Sequence, residues 1–125
     1  MTGLSSMDLA QRKAALVSAQ DRRLRRVELK ASVKRAGRDG GRDLARVLLH
    51  EHELIDNMDI GEYLMWMPGW GKKTIRYLLK DRPFRIDPWH AIGDLTERQR
   101  AGLALALEEA ADGIQPYRMS HRKVG

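Results

Sequence analysis

The sequence predicts an all-α protein in which a long N-terminal helix straps over a small helical body. Three observations predict it. Nowhere along the 125 residues do apolar and polar side chains alternate with the period of two that marks a half-buried strand. The stretch from Met7 to Ala36 contains neither Gly nor Pro and is dominated by Ala, Leu, Arg, Lys, Glu and Gln, which are strong helix formers. Asp59 with Glu62 and Thr96 with Gln99 each stand three apart at the head of an apolar run, the spacing of a capping box.

Met7–Ala36 reads as one helix, with Ser5 or Ser6 as N-cap and Gly37 as the stop. At about 100° per residue, Leu9, Leu16, Val17, Leu24, Val27 and Ala31 form one apolar stripe, expected to dock on the body. Arg22, Arg26, Lys30 and Lys34 step along a neighbouring face, while Leu29 and Val33 fall off the stripe. "AGRDGGRD" reads as a Gly-rich hinge between arm and body. Asp43–Glu51 is the next helix, with Leu44, Val47 and Leu48 inward, and Leu54, Ile55 and Met58 suggest a further helical turn. Asp59 opens a short helix through Met67 that Pro68 ends, and Lys72–Lys80 follows with Ile75, Leu78 and Leu79 inward. "RPFRIDPWHAIGD" is loop-like, Thr96 starts a last helix to about Ala111, and the remainder is a basic tail. The organisation expected is an arm over 1–38, a body over 41–112 and a tail over 113–125.

A chain of 125 residues suits one domain with a modest core. With no cysteine, disulfides and thiolate-bound zinc are excluded. No apolar run approaches the roughly 20 residues of a membrane span, and the N-terminus lacks a secretory layout, so a soluble, cytoplasmic protein is expected. The formal charge is +6, and it is blocked: residues 1–38 carry a net +7, residues 42–68 a net −4 and residues 69–85 a net +5. That balance points to a polyanionic partner.

"MPGWGKKTIRYLLK" spans the third block, from Met67 to Lys80. A helix, a Pro-Gly-x-Gly turn and a second helix opening on lysines is the layout of a helix-hairpin-helix. Gly69 and Gly71 permit a tight turn and close approach of a ligand to the backbone. The first-turn amides of the second helix sit at the positive end of its dipole, where Lys72, Lys73 and Thr74 add charge and hydrogen bonds for a phosphate. A Gly-rich hairpin with surface lysines is the alternative. The cradle reads backbone, not bases.

"RVELKASVKRAG", then "LIDNMDIGEYLMWMPGWGKKT", then "DLTERQRAGL" together resemble the actinobacterial integration host factor family of nucleoid-associated proteins, over roughly residues 6–111. The resemblance implies a helix-two-turns-helix body like that of a small-subunit ribosomal protein, crossed by the long helix. It implies largely sequence-nonspecific binding of double-stranded DNA, bending or compaction of that DNA, and a nucleoid location. It also implies a role in site-specific integration, with an integrase or recombination complex as partner, and a monomer. Where the family has a basic stretch after its loop proline, this chain has Trp89 to Gly93 without an arginine. Asn57 and Asp59 stand where the family carries lysines, a pattern that fits a divergent or phage-borne relative.

The candidate DNA contacts are Arg22, Arg26, Lys30, Lys34 and Arg35 on the arm, Gly69, Trp70, Gly71, Lys72, Lys73, Thr74 and Arg76 at the hairpin, and Arg98 and Arg100 on the last helix. Of Trp66, Trp70 and Trp89, Trp70 is the one placed to reach a sugar or minor groove; the other reading of each is core. "HEHE" at His50–Glu53 lacks the i, i+4 histidines of a helical zinc site, and no metal, cofactor or catalytic residue is expected. Base-excision glycosylases share such a body, but their N-terminal proline nucleophile and Cys-ligated zinc are missing. The rival function is an RNA-binding or ribosome-associated module using the same basic surface.

Overall fold

The computed structural model describes residues 2–80 and 84–114, with side chains described from Leu9 onward. These residues form α1 (Thr2–Ala36), α2 (Gly40–His50), α3 (Ile60–Leu64), α4 (Lys72–Lys80) and α5 (Glu97–Ala111), with 3-10 turns at Gly37–Asp39, His52–Leu54 and Ile92–Asp94. The all-α class and the long N-terminal helix are as predicted. No strand occurs among the described residues, only an isolated antiparallel bridge between Asp59 and Ala91.

At 35 residues, α1 is roughly 50 Å long. It starts ahead of Ser5 and ends at Gly37, whose φ of +66° is the left-handed conformation that stops a helix. Its docking face differs from the expected one. Leu9, Leu16, Val17, Leu24 and Val27 are all 59–65% exposed, whereas Val33 is fully buried and Leu29 packs against the core. α1 packs on α2 and the turns flanking it, so only its C-terminal third meets the body. The docked face mixes leucine and valine with arginines, and that weak apolar contrast hid it from the periodicity.

The expected hinge is a packed corner. α2 begins at Gly40, three residues ahead of Asp43. A Cβ on Gly40 would stand 2.6 Å from Val33 Cγ1, and one on Gly41 would stand 2.4 Å from the Leu107 carbonyl oxygen. Glycine is needed here for close approach of three helices, not for flexibility.

Leu44 and Leu48 of α2 and Leu103 and Leu107 of α5 are fully buried and centre the core, with Ile55, Ile60, Leu64 and Leu79 around them. The buried Tyr63 hydroxyl donates to the Leu44 carbonyl at 2.7 Å, tying α3 to α2. Thr96 forms its capping box: its hydroxyl accepts from the Gln99 amide at 3.0 Å, and the Gln99 side chain accepts from the Thr96 amide at 2.9 Å.

Asp59 does not form the box expected of it, and its helix ends at Leu64 rather than Met67. The Ile60 and Gly61 amides instead donate to the carbonyls of His90 and Pro88, each at 2.8 Å. Loop carbonyls thus satisfy two of the first-turn donors that have no intrahelical acceptor. The same pairing holds the loop around Trp89 against α3.

Candidate nucleic-acid interface

The turn from Met67 to Gly71 is built by backbone. The Trp70 amide donates to the Met67 carbonyl at 3.1 Å, and Gly69 has φ +87° with nothing within 4 Å of where a Cβ would stand. Gly71 also has nothing within 4 Å of its Cβ position, and its φ is outside the left-handed region. The Ile75 amide donates to the Gly71 carbonyl at 3.1 Å, the first bond of α4. The amides of Lys72, Lys73 and Thr74 therefore have no intrahelical acceptor, and Gly71 has no side chain to cap them. They emerge at an open, exposed glycine beside two exposed lysines.

Around this turn, Lys72, Lys73, Arg76 and Lys80 are exposed and Thr74 is half-buried, while Ile75, Leu78 and Leu79 anchor the opposite side of α4 in the core. Trp70 is only 4% exposed. A sugar or minor-groove contact by Trp70 is ruled out by that burial; its ring belongs to the core under the turn. The exposed tryptophan is Trp89, at 69%. Its place between Pro88 and His90, outside any apolar periodicity, was the signal available for it in the sequence.

Two of the candidate arginines are committed to the fold. Arg26 donates from Nε to the Leu54 carbonyl at 2.7 Å and from its terminal nitrogen to Asn57 Oδ1. Partial burial, with neighbouring Arg22, lowers its pKa from the ordinary value. It fastens α1 to the turn after α2, and its neighbour Arg25 pairs with Glu51 at 2.8 Å. Arg100 donates to the Leu95 carbonyl at 2.7 Å, closing the turn that leads into α5. Arg22, Lys30, Lys34, Arg35 and Arg98 are exposed.

The structure carries these candidates on separate elements: α1 packs on α2, α4 on α3, and α5 on α2. Within α1, Lys30 and Lys34 share a face one turn apart. Arg42 pairs with Asp112 at 2.6 Å, which raises its pKa, and Arg46 pairs with Asp43 and Glu51. Acidic side chains thus neutralise the α2 surface. His52 of the "HEHE" stretch pairs with Asp56 at 2.8 Å, and no cluster of three or more potential metal ligands occurs among the described residues. None of the described helices is long and apolar enough to cross a membrane. Comparison of the chain with protein families, with curated proteins and with solved structures returned no match.

Proposed function

We propose that this protein binds double-stranded DNA with little sequence preference, holding a backbone phosphate at the Gly69–Lys73 turn. The observation that carries the reading is the open N-terminus of α4: three amides without intrahelical acceptors, a cap residue without a side chain, and exposed Lys72 and Lys73. A phosphate there gains the helix dipole, direct amide hydrogen bonds and two positive charges. Arg76, Arg98, Arg22, Lys30, Lys34 and Arg35 are exposed and available to further phosphates. The resemblance to integration host factors of actinobacteria supports the same reading and adds bending or compaction of DNA in the nucleoid, in support of an integrase or recombination complex.

Competition separates this reading from its rival. Labelled duplex DNA bound to the protein should be displaced by unlabelled duplex DNA of unrelated sequence and much less by duplex RNA of equal length. Preferential displacement by RNA would replace DNA with RNA as the ligand, since an A-form helix presents phosphates and 2′-hydroxyls with a different spacing.

A further inference from the structure

Left-handed backbone falls at four of the described residues. Three are the glycines Gly37, Gly69 and Gly113, and the fourth is Arg85, at φ +47°. The residues on either side of Arg85 are pinned, which fixes the turn. The Ile86 amide donates to the Leu79 carbonyl at 3.0 Å and the Ile86 side chain is buried, so the chain folds back on the C-terminal end of α4. Phe84 packs on α5: its ring stands 2.6 Å from where a Cβ on Gly102 would lie, and its carbonyl accepts from the Gln99 side chain at 3.4 Å. Between these two anchors Arg85 is exposed. Glycine or asparagine would hold the same turn without the clash that a left-handed φ imposes on a longer side chain. A strained conformation kept by a long cation that covers nothing in the core points to a role outside the fold.

We propose that Arg85 and Arg98 together hold one backbone phosphate of duplex DNA, at the junction of α4 and α5. The inference rests on the DNA-binding reading and adds a second contact point to the one at Gly69–Lys73. The bond between the Phe84 carbonyl and Gln99 sets Arg85 beside the first turn of α5. There Arg98 is exposed and, four residues before Gly102, shares the helix face on which Phe84 packs. Neither arginine forms a side-chain hydrogen bond or ion pair among the described residues, not even with Asp87 or Glu97, the nearest acids in sequence. Each guanidinium presents a fork of N–H donors, so the two can bracket the oxygens of a single phosphate. The nine residues of α4 separate this junction from the Gly69–Lys73 turn by roughly 13 Å, about four base-pair steps of 3.4 Å along a duplex. One duplex can therefore meet both ends of α4.

Because strain and charge reside in one side chain, its removal costs binding and not stability. Arg85→Gly and Arg85→Asn should both leave the melting temperature unchanged or raised, since each new residue tolerates the left-handed φ. Both should weaken binding of a labelled mixed-sequence duplex about five- to tenfold at about 0.1 M salt, with the slope of log affinity against log salt shallower by about 1. Arg85→Lys keeps a cation on the same backbone and should recover most of the binding.

Fluorescence anisotropy titrations of the full chain over a salt series, with thermal melts of each variant, make the test. Arg98→Gln should cause a loss similar to that of Arg85→Gly. The double variant should lose less than the product of the two single losses, because either change opens the same clamp. Equal affinity and slope in the unaltered chain and in folded Arg85→Gly overturn the proposal and leave DNA binding in place. A melting temperature lowered in both Arg85→Gly and Arg85→Asn makes Arg85 part of the fold and overturns it as well. Losses that multiply in the double variant overturn the shared phosphate. An unaltered chain that binds no duplex overturns the DNA-binding reading, and this proposal with it.

Discussion

At Gly71 a single substitution separates binding from folding. Its Cβ position is open and its φ is ordinary for any residue, so Gly71→Glu should leave the melting temperature within a few degrees while weakening DNA binding by more than tenfold. Thermal melting and fluorescence anisotropy check the two halves. Gly69→Ala should do the reverse, costing about 1 kcal/mol of stability because of its left-handed φ. Trp70→Ala should destabilise by several kcal/mol, as loss of a buried aromatic does. Tyr63 provides a test by pH. Burial pushes its pKa up from the ordinary value of 10.0, so above about pH 10 the unfolded chain releases a proton that the folded chain keeps. Stability should then fall by up to about 1.4 kcal/mol per pH unit. Tyr63→Phe should remove that contribution, at a cost of about 1 kcal/mol near neutrality for the lost bond to Leu44; urea unfolding at both pH values measures it. At this scale the sequence named residue types well and their employment poorly. Arg26, Arg100 and Trp70 belong to types that nucleic-acid sites use, but Arg26 is held by the Leu54 carbonyl 28 residues on, Arg100 by the Leu95 carbonyl five residues before it, and Trp70 lies in the core.

Among the elements, α1 divides into a docked third and a projecting remainder. Removing residues 1–20 should leave the stability of the body nearly unchanged, because Leu9, Leu16 and Val17 cover nothing. Removing residues 1–36 uncovers the site of Val33 and Leu29 and deletes the Arg25 and Arg26 bonds, so it should lower stability by several kcal/mol. Circular dichroism melts of the two truncations make the comparison. The bounds of α4 and α5 were legible in sequence because their signals are local: a glycine before Lys72, and a Thr96–Gln99 box that closes within one turn. The same local signal at Asp59 failed: its side chain caps no amide, and the helix start is instead held by carbonyls of His90 and Pro88, some thirty residues away, which accept from the Ile60 and Gly61 amides. The docking face of α1 was illegible for a related reason. Periodicity reveals that a helix has an apolar side, but not whether its own chain supplies the cover.

For the molecule as a whole, the acidic 42–68 block and the basic blocks on either side of it are explained by what each surface does. Asp43 of α2 pairs with Arg46, and Glu51 at its end pairs with Arg46 and with Arg25 of the arm, while Arg42 is paired by Asp112 after α5; α4 instead carries exposed cations. Neutralising Lys72 and Lys73 by Lys72→Gln and Lys73→Gln should therefore cost less affinity than Gly71→Glu and mainly flatten the salt dependence. Bending DNA costs a few kcal/mol, which extra phosphate contacts along a curved path offset; tethered duplexes should shorten as the protein saturates them. The direct test of the central claim is the affinity for duplex DNA measured across a salt series. With about four to eight phosphates neutralised, log affinity against log salt should fall with a slope of about −4 to −7 for any sequence, and a flat response would contradict the account.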